Sequence, residues 1–191
     1  MLVHLIAPVD GLKENIDSLR LIVKTVKENG HDLARDWLEI AYEEEMSKTT
    51  SSSESVWQEI IQSNLEAIAK ADVLIADITY DNTAIGYQIA TAIHQKKPVL
   101  LTLRKGREVS PFTWNIPSTF LKKVEYTPEN VGEEIMPFLK ENDITTKDMR
   151  FNFFIDRQIY NYLRWAAFKT GKTKAEILRE LVQREINDKE I

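Results

Sequence analysis

The sequence predicts an α/β fold, in which helices cover both faces of a parallel sheet, followed by a small separate C-terminal domain. Several short segments are apolar throughout, as the strands of a buried parallel sheet are, and they alternate with segments of helical periodicity. The charge also changes along the chain. Residues 150–191 hold nine Lys and Arg against six Asp and Glu, whereas residues 1–149 hold 16 against 24. This difference favours two domains with different surfaces.

The strands are predicted from short apolar runs. The first run, LVHLIA, ends at Pro8, and the runs VLIADI and PVLLTL are equally apolar. Weaker patterns favour a short strand at WLEIA and an edge strand that ends at Tyr126. The predicted strands are residues 2–7, 37–41, 73–78, 98–103 and 120–126.

The helices are predicted from apolar residues that recur every three or four positions. The first such segment stops at Gly30, a residue type that commonly follows a helix end. Ser55 and Gln58 fit a capping box that opens the second helix. Before it, residues 46–55 are polar and rich in Ser and Thr, which predicts a loop. The predicted helices of this domain are residues 15–29, 55–71, 85–94 and 131–139.

The C-terminal part of the chain has a pattern of its own. Residues 150–156 alternate between two faces, which is typical of a strand. A helix is predicted from Arg157 to Lys169, before Gly171, and a second helix begins near Thr173. We therefore predict domains at residues 1–142 and 149–191, joined by a linker at residues 143–148.

The composition excludes several classes of protein. The chain has no cysteine and three histidines, so disulfides and thiolate zinc sites are excluded, and we expect neither a metal nor a cofactor. No stretch approaches the roughly 18 apolar residues that cross a bilayer, and the N-terminus lacks a basic signal region. We expect a cytoplasmic protein without membrane contact.

Two loops are the first candidates for a ligand site. In a parallel sheet of this kind, ligands bind outside the carboxyl ends of the strands. The loops at residues 7–11 and 77–86 lie there and lead into helix N-termini, whose free N–H groups favour an anion such as phosphate. The alternative, in which Gly11 and Gly86 only ease tight turns, stays open.

Three segments, LIAPVDG, NLEAIAKADVLIADIT and IGYQIATAIHQKKPVLLTL, carry a family resemblance. Together they resemble nucleoside 2-deoxyribosyltransferases and related nucleotide N-glycoside hydrolases, over about residues 2–140. The resemblance implies a flavodoxin-like fold, a homodimer or larger assembly, and a nucleoside or nucleotide ligand. It also implies a nucleophilic glutamate at the position of Gln88, and at Asn64 an aspartate that handles the proton of the leaving base.

Both carboxylates of that pattern are amides in this chain. A neutral amide is a poor nucleophile and a poor proton carrier, but it keeps the shape of the acid and its capacity for hydrogen bonds. Glu66 or Asp81 could replace the missing acid, so catalysis remains an alternative to binding. The predicted ligand-binding residues are Ala7, Pro8, Asp10, Gly11, Asn64, Asp77, Asn82, Gly86, Tyr87 and Gln88.

The C-terminal segment, at about residues 149–188, resembles a ribbon-helix-helix domain of the Arc and MetJ kind. The resemblance implies that two chains pair their strands, and that the outward side chains of this ribbon enter the major groove of double-stranded DNA. A helical dimerisation tail without DNA contact is the alternative. The implied DNA contacts are Arg150, Asn152, Phe154, Thr173 and Lys174.

The two resemblances together favour one function. They predict a DNA-binding transcriptional regulator, in which a catalytically degenerate N-terminal domain binds a nucleoside or nucleotide as effector. The alternative is an active nucleoside or nucleotide N-glycosidase or deoxyribosyltransferase, which uses its C-terminal domain only for oligomerisation. Release of free base from a nucleoside or nucleotide would favour the enzyme.

Overall fold

The chain forms two compact units, Met1–Lys147 and Asp148–Ile191. The structure is a computed structural model that describes residues 1–47, 53–80, 82–143 and 153–189. The N-terminal unit contains a five-stranded sheet, and every neighbouring pair of its strands is parallel. The strands are β1 (Leu2–Ile6), β2 (Asp32–Leu33), β3 (Val73–Asp77), β4 (Val99–Arg104) and β5 (Leu121–Tyr126).

The strand order is β2-β1-β3-β4-β5, which is the flavodoxin-like order. The order in which strands are added to the sheet reverses between β1 and β3. β2 lies on one side of β1, and β3, β4 and β5 lie on the other side. The predicted α/β fold with an all-parallel sheet is therefore confirmed. Its helices are α1 (Leu12–Glu28), α2 (Leu38–Ser47), α3 (Glu54–Lys70), α4 (Thr83–His94), α5 (Pro111–Trp114) and α6 (Val131–Asn142).

Helices pack on both faces of the sheet and form two cores. Successive side chains of a strand point to opposite faces, so Val3 and Leu5 of β1 join a core with α1 and α6. Ile6 belongs to the second core, together with Ile68 of α3 and Ile89 of α4. Strands covered on both faces need apolar residues throughout, which is the pattern that predicted them.

The segment after β2 differs from the prediction. We expected a strand at residues 37–41, but β2 is only Asp32–Leu33 and the chain is helical from Leu38. The indole N–H of Trp37 donates to the carbonyl of Leu5 at 2.9 Å, which fixes this ring beside β1. Leu, Ala and Glu are strong helix formers, and they outweigh the weak apolar alternation of WLEIA.

The start of α3 also differs slightly from the prediction. The helix begins at Glu54, with Ser53 as its N-cap residue and no side-chain capping bond. The hydroxyl of Ser55, the predicted cap, lies 2.7 Å from that of Ser53. Residues 48–52 of the predicted loop lie outside the described residues, whereas the flanking ends of that stretch are helical up to Ser47 and again from Glu54.

The C-terminal unit contains the helices α7 (Arg157–Thr170) and α8 (Lys174–Asp188). Gly171 ends α7 in the left-handed conformation, with φ of 71°. The described part of the C-terminal unit has a small core, formed by Leu163, Ala166 and Ile177. Large apolar side chains of the same unit, such as Phe168 at 86% exposure, remain in solvent.

The predicted strand at residues 150–156 lies partly outside the described residues. Its described part, residues 153–156, is not a strand. A strand requires a hydrogen-bonded neighbour, and the described part of this unit contains none. Among all the residues that the structure describes, none belongs to a helix with the length and apolar character needed to cross a bilayer.

Candidate active site

A cleft of about 880 Å³ opens at the carboxyl end of β1. Its walls come from the end of β1, the segment before α2, and helices α2, α3 and α4. This volume is in the range of small-molecule sites. The lining residues include Ala7, Arg35, Trp37, Trp57, Asn64 and Gln88.

The fold brings Asn64 and Gln88 to one cleft. Asn64 belongs to α3 and Gln88 to α4, and these two helices pack side by side on the same face of the sheet. The Asn64 side-chain oxygen accepts a hydrogen bond from the guanidinium of Arg35. The Gln88 amide nitrogen makes only a long contact, 3.4 Å, with the carbonyl of Ala84. The Asn64 amide nitrogen and the Gln88 side chain are therefore available to a ligand in the cleft.

Arg35 is a partly buried cation in this cleft. Burial lowers the pKa of its guanidinium from the ordinary value, since a charge is poorly solvated there. The carboxylate next to it in sequence, Asp36, forms its ion pair with Lys27 instead, at 2.8 Å. The hydrogen-bond partner of Arg35 is thus the neutral amide of Asn64.

His4 lies behind these residues, on β1. It is 1% exposed, and neither ring nitrogen makes a well-aligned hydrogen bond with the described residues. Burial and, to a lesser extent, the positive charge of Arg35 lower its pKa to about 4, although the nearby Gln88 side chain partly offsets both effects. The imidazole is therefore neutral near pH 7.

Carboxylates are present in the cleft, but not at the predicted positions. Asp36 and three consecutive glutamates of α2, residues 43–45, line it. Glu66, one expected replacement acid, is exposed, accepts a hydrogen bond from Gln62 at 2.9 Å, and does not line the cleft. Asp81, the other, lies outside the described residues.

Of the ten predicted ligand-binding residues, Ala7, Asn64 and Gln88 line the cleft. Asn82 instead caps α4, where its side-chain oxygen accepts the backbone N–H of Ile85 at 3.0 Å. The others do not line the cleft: Pro8 is buried, Asp10 and Tyr87 are exposed, and Gly11, Gly86 and Asp77 lie elsewhere in the unit.

Asp77 belongs to a buried hydrogen-bond network on the other face of the sheet. It is fully buried, and its oxygens accept from the Asn15 amide (3.0 Å), the Thr79 backbone N–H (3.2 Å), the Thr102 hydroxyl (2.9 Å) and the Tyr126 hydroxyl (2.7 Å). All of these donors come from the protein. The prediction of Asp77 as a ligand-binding residue is not supported, because its hydrogen-bonding capacity is already used.

The structure describes three of the five predicted DNA contacts. Arg150 and Asn152 lie outside the described residues, and Phe154 is fully exposed. Thr173 forms a capping box with Glu176, whose carboxylate accepts the Thr173 backbone N–H at 2.7 Å. The ammonium of Lys174 lies over a tyrosine ring, 4.2 Å from its centroid. A carboxylate already occupies this helix N-terminus, so the arrangement disfavours a phosphate there.

Similar proteins were found that match more than half of the chain. No protein-family model matches it. A "Putative 2′-deoxynucleoside 5′-phosphate N-hydrolase 1" of Methanosarcina mazei is 28% identical over 134 residues, which cover 70% of this chain and 80% of the relative. Proteins of the same name from Thermofilum pendens and Methanosarcina barkeri are each 26% identical. They match 56% and 65% of this chain, and 72% and 75% of their own lengths.

Among solved structures, a CMP N-glycosidase of Clostridium botulinum matches with a TM-score of 0.46 and 16% identity, over 74% of this chain and 99% of its own. The curated relatives support the predicted nucleoside 2-deoxyribosyltransferase-like N-terminal domain. They carry the name of an enzyme, so the prediction of a DNA-binding transcriptional regulator is wrong. The enzyme, which was the alternative, agrees better with the names of these curated relatives.

Sequence reasoning missed Arg35 and Trp37 in the cleft. Both lie directly after β2, at the carboxyl end of a parallel strand, where ligand-binding loops occur. The misplaced strand at residues 37–41 hid this loop. A second strand assigned to the HDL sequence that follows Gly30 would have directed attention to ARDW, which carries a cation and a large aromatic ring.

Proposed function

We propose that the N-terminal unit hydrolyses the N-glycosidic bond of a nucleoside 5′-monophosphate in the cleft. The observation that carries the proposal is the meeting of Asn64 and Gln88, from two different helices, in one cleft of nucleotide size. These are the two positions at which the related family has its catalytic carboxylates. The names of the curated relatives support the same reaction class.

The chemistry must differ from that of the resembling family, because neither amide can be the nucleophile. We propose a direct attack by water. A carboxylate of α2, from residues 43–45, accepts a proton from this water, whose oxygen bonds to the anomeric carbon. The C–N bond breaks and its electron pair moves to the base. The amides of Asn64 and Gln88 hold base and sugar by hydrogen bonds.

Aromatic rings of the cleft complete the proposal. Trp57 is half-exposed and Trp37 is fixed by its bond to Leu5, and both line the cleft. Their faces suit stacking on a nucleobase. Tyr87, one of the predicted ligand-binding residues, is 57% exposed on α4 and does not line the cleft.

The test is release of free base. The purified full chain is incubated with the four 2′-deoxynucleoside 5′-monophosphates, the corresponding ribonucleotides and the nucleosides, and free base is measured by chromatography. We expect base release from at least one monophosphate. No release from any of them above the rate without protein would refute the proposal.

A gain-of-function variant tests the same site more sharply. Gln88→Glu restores the nucleophilic carboxylate of the resembling family and leaves Asn64 in contact with Arg35. We expect base release to increase by about 100-fold or more, the scale of one correctly placed catalytic group. The control is Gln88→Met, which is similar in size and carries no charge. Equal rates in Gln88→Glu and Gln88→Met would contradict the location of the site.

We also propose a role and a boundary for the C-terminal unit. Domains at residues 1–142 and 149–191 remain the proposed division, with a ribbon-helix-helix-like second domain that joins two chains. Support comes from exposed aromatic side chains such as Trp165 and Phe168, beside a buried core of few residues. Sedimentation of the full chain and of residues 1–142 tests it: the dimer should require the C-terminal domain.

A further inference from the structure

Arg35 has no carboxylate partner in the part of the chain that the structure describes. Its hydrogen bond goes from Nη1 to the side-chain oxygen of Asn64. The ion pairs of the described residues involve other cations, and the adjacent Asp36 belongs to Lys27. A guanidinium has five N–H donors and stays protonated, so the donors not bonded to Asn64 remain for a ligand in the cleft.

Arg35 is the one cation among the described residues that line the cleft. It is partly buried, and the neighbouring His4 is neutral and fully buried. Burial lowers the pKa of His4, and the positive charge of Arg35 lowers it in the same direction. The glutamates of α2 lie on the exposed wall of the cleft and form no ion pair with Arg35. A partly desolvated cation without a counter-ion is stabilised when a negative group binds beside it.

We propose that Arg35 binds a negatively charged oxygen or nitrogen of the ligand, and that Asn64 holds the guanidinium in position. An aspartate at position 64 would itself neutralise Arg35, whereas the amide orients it and leaves its charge for the ligand. The group bound has two sources in a nucleotide. One is the 5′-phosphate, and the other is the base, which becomes anionic as its bond to the sugar breaks; this second source rests on the proposed function.

The experiment compares Arg35→Met and Arg35→Lys with the wild-type chain. Affinities for a 2′-deoxynucleoside 5′-monophosphate and for the matching deoxynucleoside are measured by calorimetry, and base release is measured as above. Lys140→Met is the control, because it removes one positive charge from an exposed residue of α6 that does not line the cleft. A cooperative thermal unfolding transition shows that each variant is folded. Arg35→Lys retains the positive charge but lacks the planar guanidinium group.

Each source predicts a different result. If Arg35 binds the phosphate, Arg35→Met lowers the affinity for the monophosphate by about 10- to 100-fold, as loss of one charge-assisted contact does. The affinity for the deoxynucleoside should stay unchanged. If it binds the departing base, both affinities stay and kcat falls by a similar factor. Arg35→Lys should be intermediate in either case, and Lys140→Met should equal the wild type.

Two results would overturn the inference. One is an Arg35→Met chain with wild-type affinities and wild-type base release. The other is an equal loss of affinity for monophosphate and deoxynucleoside, which would indicate a general loss of shape. If the wild-type chain binds nucleotide but releases no base, the proposed function fails, and the affinity comparison alone decides the role of Arg35.

Discussion

Asp77 should make the stability of the N-terminal unit decrease as the pH rises. Its carboxyl group is fully buried, and burial raises its pKa more than its hydrogen bonds to Tyr126, Thr102 and Thr79 lower it. No cation of the described residues pairs with it. The folded state therefore holds the proton more tightly than the unfolded state does. This stabilising contribution is complete below the unfolded pKa, near 3.8, and is lost as the pH rises through the folded pKa.

The variant Asp77→Asn isolates this effect, because the amide is nearly the same shape and does not titrate. Between the unfolded and folded pKa values, the free energy of unfolding of the wild type should fall relative to the variant by up to about 1.4 kcal/mol per pH unit. Above the folded pKa the difference should become constant. Asp17→Asn, at a side chain that is 94% exposed, is the matched control and should show no such slope.

The assay is urea unfolding at intervals from pH 3.5 to 8, followed by circular dichroism and tryptophan fluorescence. The reasoning would be refuted by a difference between wild type and Asp77→Asn that is the same at every pH. The reasoning would be refuted equally if the free energy of unfolding of the wild type rose relative to that of Asp77→Asn as the pH rises. Such a rise would mean that the folded unit prefers the ionised carboxylate.

Three further substitutions test the turns and caps. Gly11→Ala should lower the free energy of unfolding by about 3 kcal/mol, because φ is 83° and the new Cβ would lie 2.5 Å from Cδ2 of Tyr80. Its control, Gly86→Ala, meets no atom within 4 Å inside a helix and should stabilise by about 0.5 to 1 kcal/mol. Asn82→Ala should cost about 1 kcal/mol through the lost cap of α4, and Asn82→Asp much less. Thr173→Ala should cost a similar amount in the C-terminal unit, measured by its thermal transition.

The central sheet could be predicted from the sequence because its strands are buried on both faces. Each of β1, β3 and β4 lies within one residue of its predicted position at either end. Such a strand is apolar at every position, which distinguishes it from the amphipathic helices beside it. β2 could not be found in this way, since it has two residues and one of them, Asp32, is exposed.

The candidate site was only partly predictable, for two physical reasons. The family resemblance indicated Asn64 and Gln88, which share the cleft, but resemblance does not specify what replaces a missing carboxylate. A polar residue at a strand end, such as Asp77, can serve a ligand or a buried network. Strand parity places it on the face of Val73 and Ile75, but the sequence does not say which face carries the ligand.

The contribution of Arg35 depends on tertiary contacts between the segment after β2 and α3. Those contacts depend on how α3 packs against the segment that follows β2. The local sequence pattern does not specify this packing. A carboxylate would be the expected ion-pair partner of a partly buried arginine. Its absence among the described residues became visible only when the fold placed an amide there.

The two edges of the sheet have a consequence for how the protein behaves at high concentration. Exposed strand edges invite pairing with strands of other molecules, which leads to aggregation. At one edge, β2 offers only two residues to such a partner. At the other edge, β5 carries Lys122, which pairs with Glu141, and Lys123, which lies over the ring of Trp114. The charged side chains of β5 and the shortness of β2 should therefore disfavour aggregation of folded units through their strand edges.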